Sequence, residues 1–214
     1  MKFGFEKSKW FVVQSGVIAV LLNSVSSAAF AGSHSFINSQ RSSIESHVFV
    51  SQEVEGSYGQ KKTSSLDDVA ETHFWSGFGF RNALGIEIMK FIQFSASHTF
   101  VNDRNRDNSL ERLSGSRVAA DLKLEFTSPI GNLEAGSGLT AARLDYQKQL
   151  DSASFYGTGM YYSLGLNYFV SSRVSVYGNA RLYRDNMIKT GGSSEVENIR
   201  SNSTAVGFGV SLWL

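Results

Sequence analysis

Four histidines are the first place to look for chemistry. A hydrolase or acyl-transferase would use one as a base beside a serine, with an acid to orient it. The residues two positions after His34, His47, His73 and His98 are Phe36, Phe49, Trp75 and Phe100, so no histidine is followed by serine at that spacing. His47 and His73 are expected to face a lumen near Glu45, Glu53 and Glu71. His98, beside Ser97 and Thr99, reads as a strand-end histidine. The acidic spots Asp67-Asp68 and Glu195 with Glu197 match no EF-hand spacing and read as solvated loop charge. There is no phosphate-cradling glycine loop, no metal-ligand cluster and no nucleotide motif, so no cofactor is expected. The chain carries 20 basic and 19 acidic residues, which gives no basic surface for nucleic acid.

The stronger signal is charge at alternate positions. From Arg117 to Thr127, Val118, Ala120, Leu122, Leu124 and Phe126 fall on one face, while Arg117, Asp121, Lys123 and Glu125 fall on the other. Only an extended strand separates two such sets, because 3.6 residues per turn would mix them. Thr204 to Leu214 repeats the pattern, with Val206, Phe208, Val210, Leu212 and Leu214 on the apolar face. Ile44–Val54, Val69–Phe80, Leu133–Ala142, Ser154–Val170 and Arg173–Tyr183 alternate in the same way. Glu134 and Arg181 join the charged face. Leu84–Val101 reads as the eighth strand, with Lys90 on the face of Ile86, Ile88 and Ile92. A lysine at mid-depth in lipid costs roughly 2–4 kcal/mol. Either a bulge re-aims Lys90 or the membrane section begins after it.

Short connections are expected near Arg81–Ala83, Ser128–Asn132 and Ser171–Arg173. Long polar ones are expected over Ser57–Asp68, Asn102–Ser116, Gln147–Ala153 and Asp185–Ser203. Lys2, Lys7 and Lys9, the apolar run from Trp10 to Leu22 and the Ala29-Phe30-Ala31 site make a three-part signal peptide over residues 1–31. Residues 32–43 follow as a periplasmic lead-in, and 44–214 form the barrel. Cysteine is absent, so stability must come from the fold and not from disulfides.

The apolar face is expected to point outward. The polar face is crowded with glycine (Gly136, Gly138, Gly157, Gly159, Gly165, Gly207, Gly209), which a narrow eight-strand interior needs. The charges of Arg117, Asp121, Lys123, Glu125, Glu134 and Arg181 would form a lumen network that satisfies itself. The last apolar strand runs to the final residue, which is tolerable where a closed barrel pairs it in lipid. The expected fold is therefore all-β, an eight-stranded antiparallel up-and-down transmembrane β-barrel.

On these features the mature chain resembles the OmpX/opacity-type family of small outer-membrane barrels, within the OmpA-like transmembrane barrel superfamily. The resemblance implies that Val206, Phe208, Val210, Leu212 and Leu214 form the signal read by the barrel-assembly machinery. The family ends on an aromatic residue, and here the last is Leu214, preceded by Trp213. The resemblance also implies a monomeric or weakly associated protein among outer-membrane lipid. Its long loops would serve adhesion, colonisation or envelope contacts, with no enzymatic activity. Two alternatives stay open. One is a narrow passive channel, weakly cation-preferring because Glu45, Glu71, Glu87, Asp121, Glu125 and Glu134 outnumber Arg117, Lys123 and Arg181 on the lumen face. The other is a lipid-modifying enzyme.

Overall fold

A computed structural model describes residues 46–65, 70–88, 90–128 and 131–214. The expected signal peptide and lead-in, together with His34, Ile44, Glu45 and Asp67-Asp68, lie outside the described residues. Eight antiparallel strands close into a barrel in sequence order: β1 (Ser46–Ser65), β2 (Ala70–Ile88), β3 (Ile92–Asn105), β4 (Glu111–Ser128), β5 (Gly131–Lys148), β6 (Asp151–Phe169), β7 (Val174–Gly192) and β8 (Val196–Trp213).

The stagger follows from the pairing. Partners traced once around the ring run Glu53, Arg81, Thr99, Arg117, Ala142, Gly157, Met187, Ile199 and back to Thr63, so the register advances from 53 to 63. Eight strands with this shear tilt by about 40°, and each residue then climbs roughly 2.5 Å along the axis.

Several sequence expectations need correction. Arg81–Ala83 is not a turn but the middle of β2, with Arg81 paired to Glu53 and Thr99. The turn comes later, between Ile88 and Ile92, which are directly opposite each other. Lys90 lies in that turn with φ 60°, so it is neither re-aimed by a bulge nor held at mid-membrane. Residues 88 and 92 are partners, so the even-numbered positions keep one face on both sides of the turn. A hairpin therefore looked like one continuous strand.

The second correction concerns the loops. Asn102–Ser116, Gln147–Ala153 and Asp185–Ser203 are mostly strand, as is the described part of Ser57–Asp68. The described connections at that end are residues 106–110, 149–150 and 193–195. In place of long loops, the barrel wall itself continues.

Outward side chains are mostly apolar from the end bearing the β1 start and the β8 end up to Val54, Phe78, Phe100, Val118, Leu139, Met160, Leu182 and Val206, with Gln52, Asn82, His98 and Ser137 as the polar exceptions. At the tilt above, this band is about 25 Å tall, the height of the lipid-facing zone of outer-membrane barrels. Beyond it the wall climbs roughly another 15–20 Å as a collar. Phe74 and Tyr156 face outward in the collar, opposite Gln60 and Arg143. His98 is not at a strand end: it faces outward within the band, edge-on to Phe100 at 4.6 Å between ring centroids.

Candidate functional site

The lumen is built in layers. Nearest the chain termini, Phe49, Phe169 and Trp213 pack into an aromatic plug, with the Trp213 indole donating to Ser175 Oγ at 2.8 Å. Above it, Lys123 Nζ donates to Glu134 Oε2 at 2.8 Å, and Glu125 accepts from Gln93 and Asn132. The next layer is a charged girdle. Arg181, 2 % exposed, forks onto Glu53 (Nη2 to Oε2, 2.7 Å) and reaches Glu55 at 3.1 Å, and Asn179 also donates to Glu53. Arg81 pairs with Asp121, which also accepts from Tyr161 and from Ser95 Oγ. Higher still, Arg117 pairs with Asp185 at 2.6 Å and lies 4.2 Å over the Tyr183 ring, while Thr140 also donates to Asp185. Lys61 pairs with Asp103, which accepts from Ser57 at 2.7 Å.

All six residues expected in the lumen (Arg117, Asp121, Lys123, Glu125, Glu134 and Arg181) point inward. Only Lys123 and Glu134 among them form an ion pair with each other. The others use Arg81, Glu53, Glu55, Asp185, Gln93 and Asn132, of which the sequence placed only Glu53 at the lumen. Arg81 had been placed in a turn and Asp185 in a loop, which hid them. Glu71 is also displaced from expectation: its carboxylate is exposed at the distal rim, where His73 contacts it at 3.1 Å and Asp107 at 3.6 Å. No serine or threonine hydroxyl is hydrogen-bonded to His73 among the described residues.

Above the charges the lumen changes character. Trp75, Val101, Leu113, Ala142, Leu144, Tyr146, Ala153, Phe155, Met187 and Ile199 form one apolar cluster inside the collar. Leu113 is fully buried and Leu144 is 1 % exposed. On the outside of the same wall stand Lys62, Arg104, Arg112, Arg143, Arg184 and Arg200, all exposed. The barrel is thus mostly apolar outside and charged inside at membrane height, and mostly polar outside and largely apolar inside beyond it, where the buried Lys61–Asp103 pair lies beside Trp75. Each half is what its surroundings demand, lipid for one and water for the other.

At the rim, clear of the apolar band, Glu111 accepts from Asn105 at 2.8 Å and pairs with Lys148 at 3.1 Å. Burial alone would raise its carboxyl, but the contacts to Asn105 and Lys148 outweigh that and hold it below its ordinary range.

The described lumen leaves little space. Two internal cavities of about 20 and 10 Å³ lie beside Arg181 and beside Arg117. Each has room for about one water.

No protein family matches the chain, and no curated protein sequence does. Among solved structures it is similar to Neisserial surface protein A, at 17% identity over 77% of this chain and 96% of the other, with a TM-score of 0.53. It is also similar to the attachment invasion locus protein Ail of Yersinia pestis (12% identity, 76% and 98% covered, TM-score 0.41). The outer membrane protease OmpT from Escherichia coli is a third (9% identity, 78% and 97% covered, TM-score 0.41). Of these three, the first aligns well enough to bear on architecture. With the closed eight-strand ring and the apolar outer band, it leads to one conclusion: this chain has the fold of the small eight-stranded outer-membrane β-barrels.

Proposed function

We propose that this protein is a non-enzymatic outer-membrane barrel whose projecting collar makes contacts at the cell surface, of the kind used in adhesion or colonisation. The collar carries this reading. Spanning lipid requires only the apolar band, yet every strand continues past it, and β2 to β8 pack a separate apolar core there. At the rim, turn residues Leu110 and Leu150 present apolar side chains to solvent, Leu150 fully so. Exposed apolar side chains at a rigid edge suit a protein partner. The filled lumen counts against the channel reading, and the acid-flanked His73 without a hydroxyl partner counts against acyl chemistry.

Display of the full chain on a non-adherent Gram-negative strain tests this. Adhesion to epithelial cells should rise with the wild type and fall with Leu110→Ser plus Leu150→Ser, while the unboiled gel band still shifts on heating. Undiminished adhesion by that variant would overturn the assignment to the rim. In planar bilayers the same protein should give no unitary steps, and steady steps would favour the channel. The assembly role of Val206, Phe208, Val210, Leu212 and Leu214 belongs to the same proposal. It is supported by their shared lipid-facing side at the closing β1–β8 seam. A monomer completes the reading, because ring closure leaves no unpaired strand edge.

A further inference from the structure

Of the polar side chains that face outward within the apolar band, three stand side by side. Gln52 on β1 is paired directly with Asn82 on β2, and Asn82 directly with His98 on β3. The row ends at Val210 on one side and at Val118 on the other, so it is three strands wide. Ser137 on β5 is alone, between Leu122 and Tyr162. Asn82 lies four residues below Phe78 and six above Ile88, near the middle of the band. Gln52 and His98 each lie two residues inside its upper limit, at Val54 and Phe100. Directly paired side chains leave the wall about 5 Å apart, so the three make one continuous polar strip.

The strip lacks what polar groups need in hydrocarbon. Gln52 and Asn82 make no side-chain hydrogen bond or ion pair with another described residue. Lipid tails neither donate nor accept, so an amide that faces them keeps its full desolvation cost. Within membranes, asparagine, glutamine and histidine side chains hydrogen-bond across to a neighbouring protein surface. On β3 and β4 the outward row beneath the strip is Ala96 and Ala120, whose small side chains let a second wall come close.

We propose that this strip is the contact face between two copies of this chain in the plane of the membrane. Both copies insert the same way, so the two-fold axis relating them runs along the membrane normal. The strip climbs toward the rim from β1 to β3, following the stagger of the ring. Under that axis the two strips cross, with Asn82 at the crossing. Asn82 meets the partner's Asn82, and Gln52 lies toward the partner's His98. An amide both donates and accepts, and a neutral imidazole does so through its two nitrogens, so the surface satisfies its own copy. Two barrels touch along a line only a few strands wide, which is the width of the strip. The folding unit is still the closed monomer, because two finished barrels meet through side chains and exchange no strand. The pairing does not depend on what the rim contacts.

The test uses the full chain folded into lipid vesicles at high lipid dilution, with folding checked by the heat shift. The chain has no cysteine, so Ser172→Cys in the exposed turn after β6 gives a single site for a fluorophore. Counting bleaching steps vesicle by vesicle reads how many copies travel together. Two-step spots should exceed the fraction that chance co-insertion gives. Gln52→Leu with Asn82→Leu should weaken pairing at least about tenfold. Leucine suits lipid at both positions, so that variant should keep the heat shift. Ser137→Leu removes the isolated polar side chain and should leave pairing near wild type. Two-step spots at the chance level, undiminished pairing by the double variant, or an equal loss from Ser137→Leu would overturn the proposal. So would chance-level pairing together with a membrane lipid that native mass spectrometry finds on the wild type and not on the double variant, which would assign the strip to that lipid. If the double variant fails the heat shift, Asn82→Leu alone reads the same contact.

Discussion

Leu144→Ala tests whether the collar is a structural unit of its own. Leu144 is 1 % exposed and packs among Leu113, Tyr146, Phe155, Met187 and Ile199. Truncating a leucine in such a core removes its transfer energy and leaves a cavity, at a cost of about 2–5 kcal/mol. The strands around it are locked in a ring, which limits collapse into the gap, so a loss of about 3 kcal/mol is expected. That corresponds to roughly a hundredfold more frequent opening. The charged layers below are held by separate contacts, so the opening should stay local. Hydrogen exchange of the barrel folded in lipid vesicles, read peptide by peptide, measures this. Peptides within 111–116, 142–157 and 185–201 should exchange roughly a hundredfold faster, with those within 118–126 and 162–182 unchanged. Leu150→Ala, at a fully exposed turn position, should change nothing. An even rise over the whole barrel, or no rise in the collar, would refute the division into two zones.

Arg81→Met leaves Asp121 buried with its cation gone and should destabilise the barrel by about 3–5 kcal/mol in urea unfolding. Arg81→Met with Asp121→Leu should recover most of that loss, and failure to recover would mean that the pair is not acting as a unit. Gly207→Ala puts a methyl group against the Glu53 carboxylate that Arg181 holds, and should cost about 1–3 kcal/mol. Gly56→Ala faces open space and should be near neutral by the same measurement. Glu111, with a carboxyl held below its ordinary value of 4.5, contributes stability that is present above that value and lost as pH falls through the depressed one. The gap in urea midpoint between wild type and Glu111→Gln should therefore be open at pH 7 and close under acid. A gap that ignores pH would contradict the contact.

The membrane zone was legible because one rule holds through most of it. Apart from Ala119 and the lumen-facing Trp213, Val118 to Phe126 and Val206 to Leu214 keep their apolar residues on one parity, so periodicity alone assigned faces, order and closure. The collar was not legible because the rule inverts there. Leu113 and Val118 lie on opposite faces of β4, Leu139 and Leu144 on opposite faces of β5, and Ile199 and Val206 on opposite faces of β8. A search for one apolar face ends the strand at each switch, which leaves Arg104 looking like loop and Arg143 and Arg184 just past the end of a strand. The lumen partners were lost with those segments, since Asp103 and Asp185 belong to them. Arg81 was lost differently, to a hairpin whose turn preserved parity.

The two-phase wall restricts how this protein's outer surface can change over evolutionary time. Barrels with slack loops can diversify by gaining or losing residues, because a loop absorbs any length. Here β5 and β6 stay paired up to Lys148 and Asp151, with two residues between them. One residue gained or lost inside the collar would turn every later side chain of that strand to the opposite face, exchanging core leucine for surface arginine. Variation at this surface is therefore confined to substitutions, to paired insertions that restore the phase, and to the few residues at the turns. Related chains should differ there in residue identity while keeping the spacing between turns.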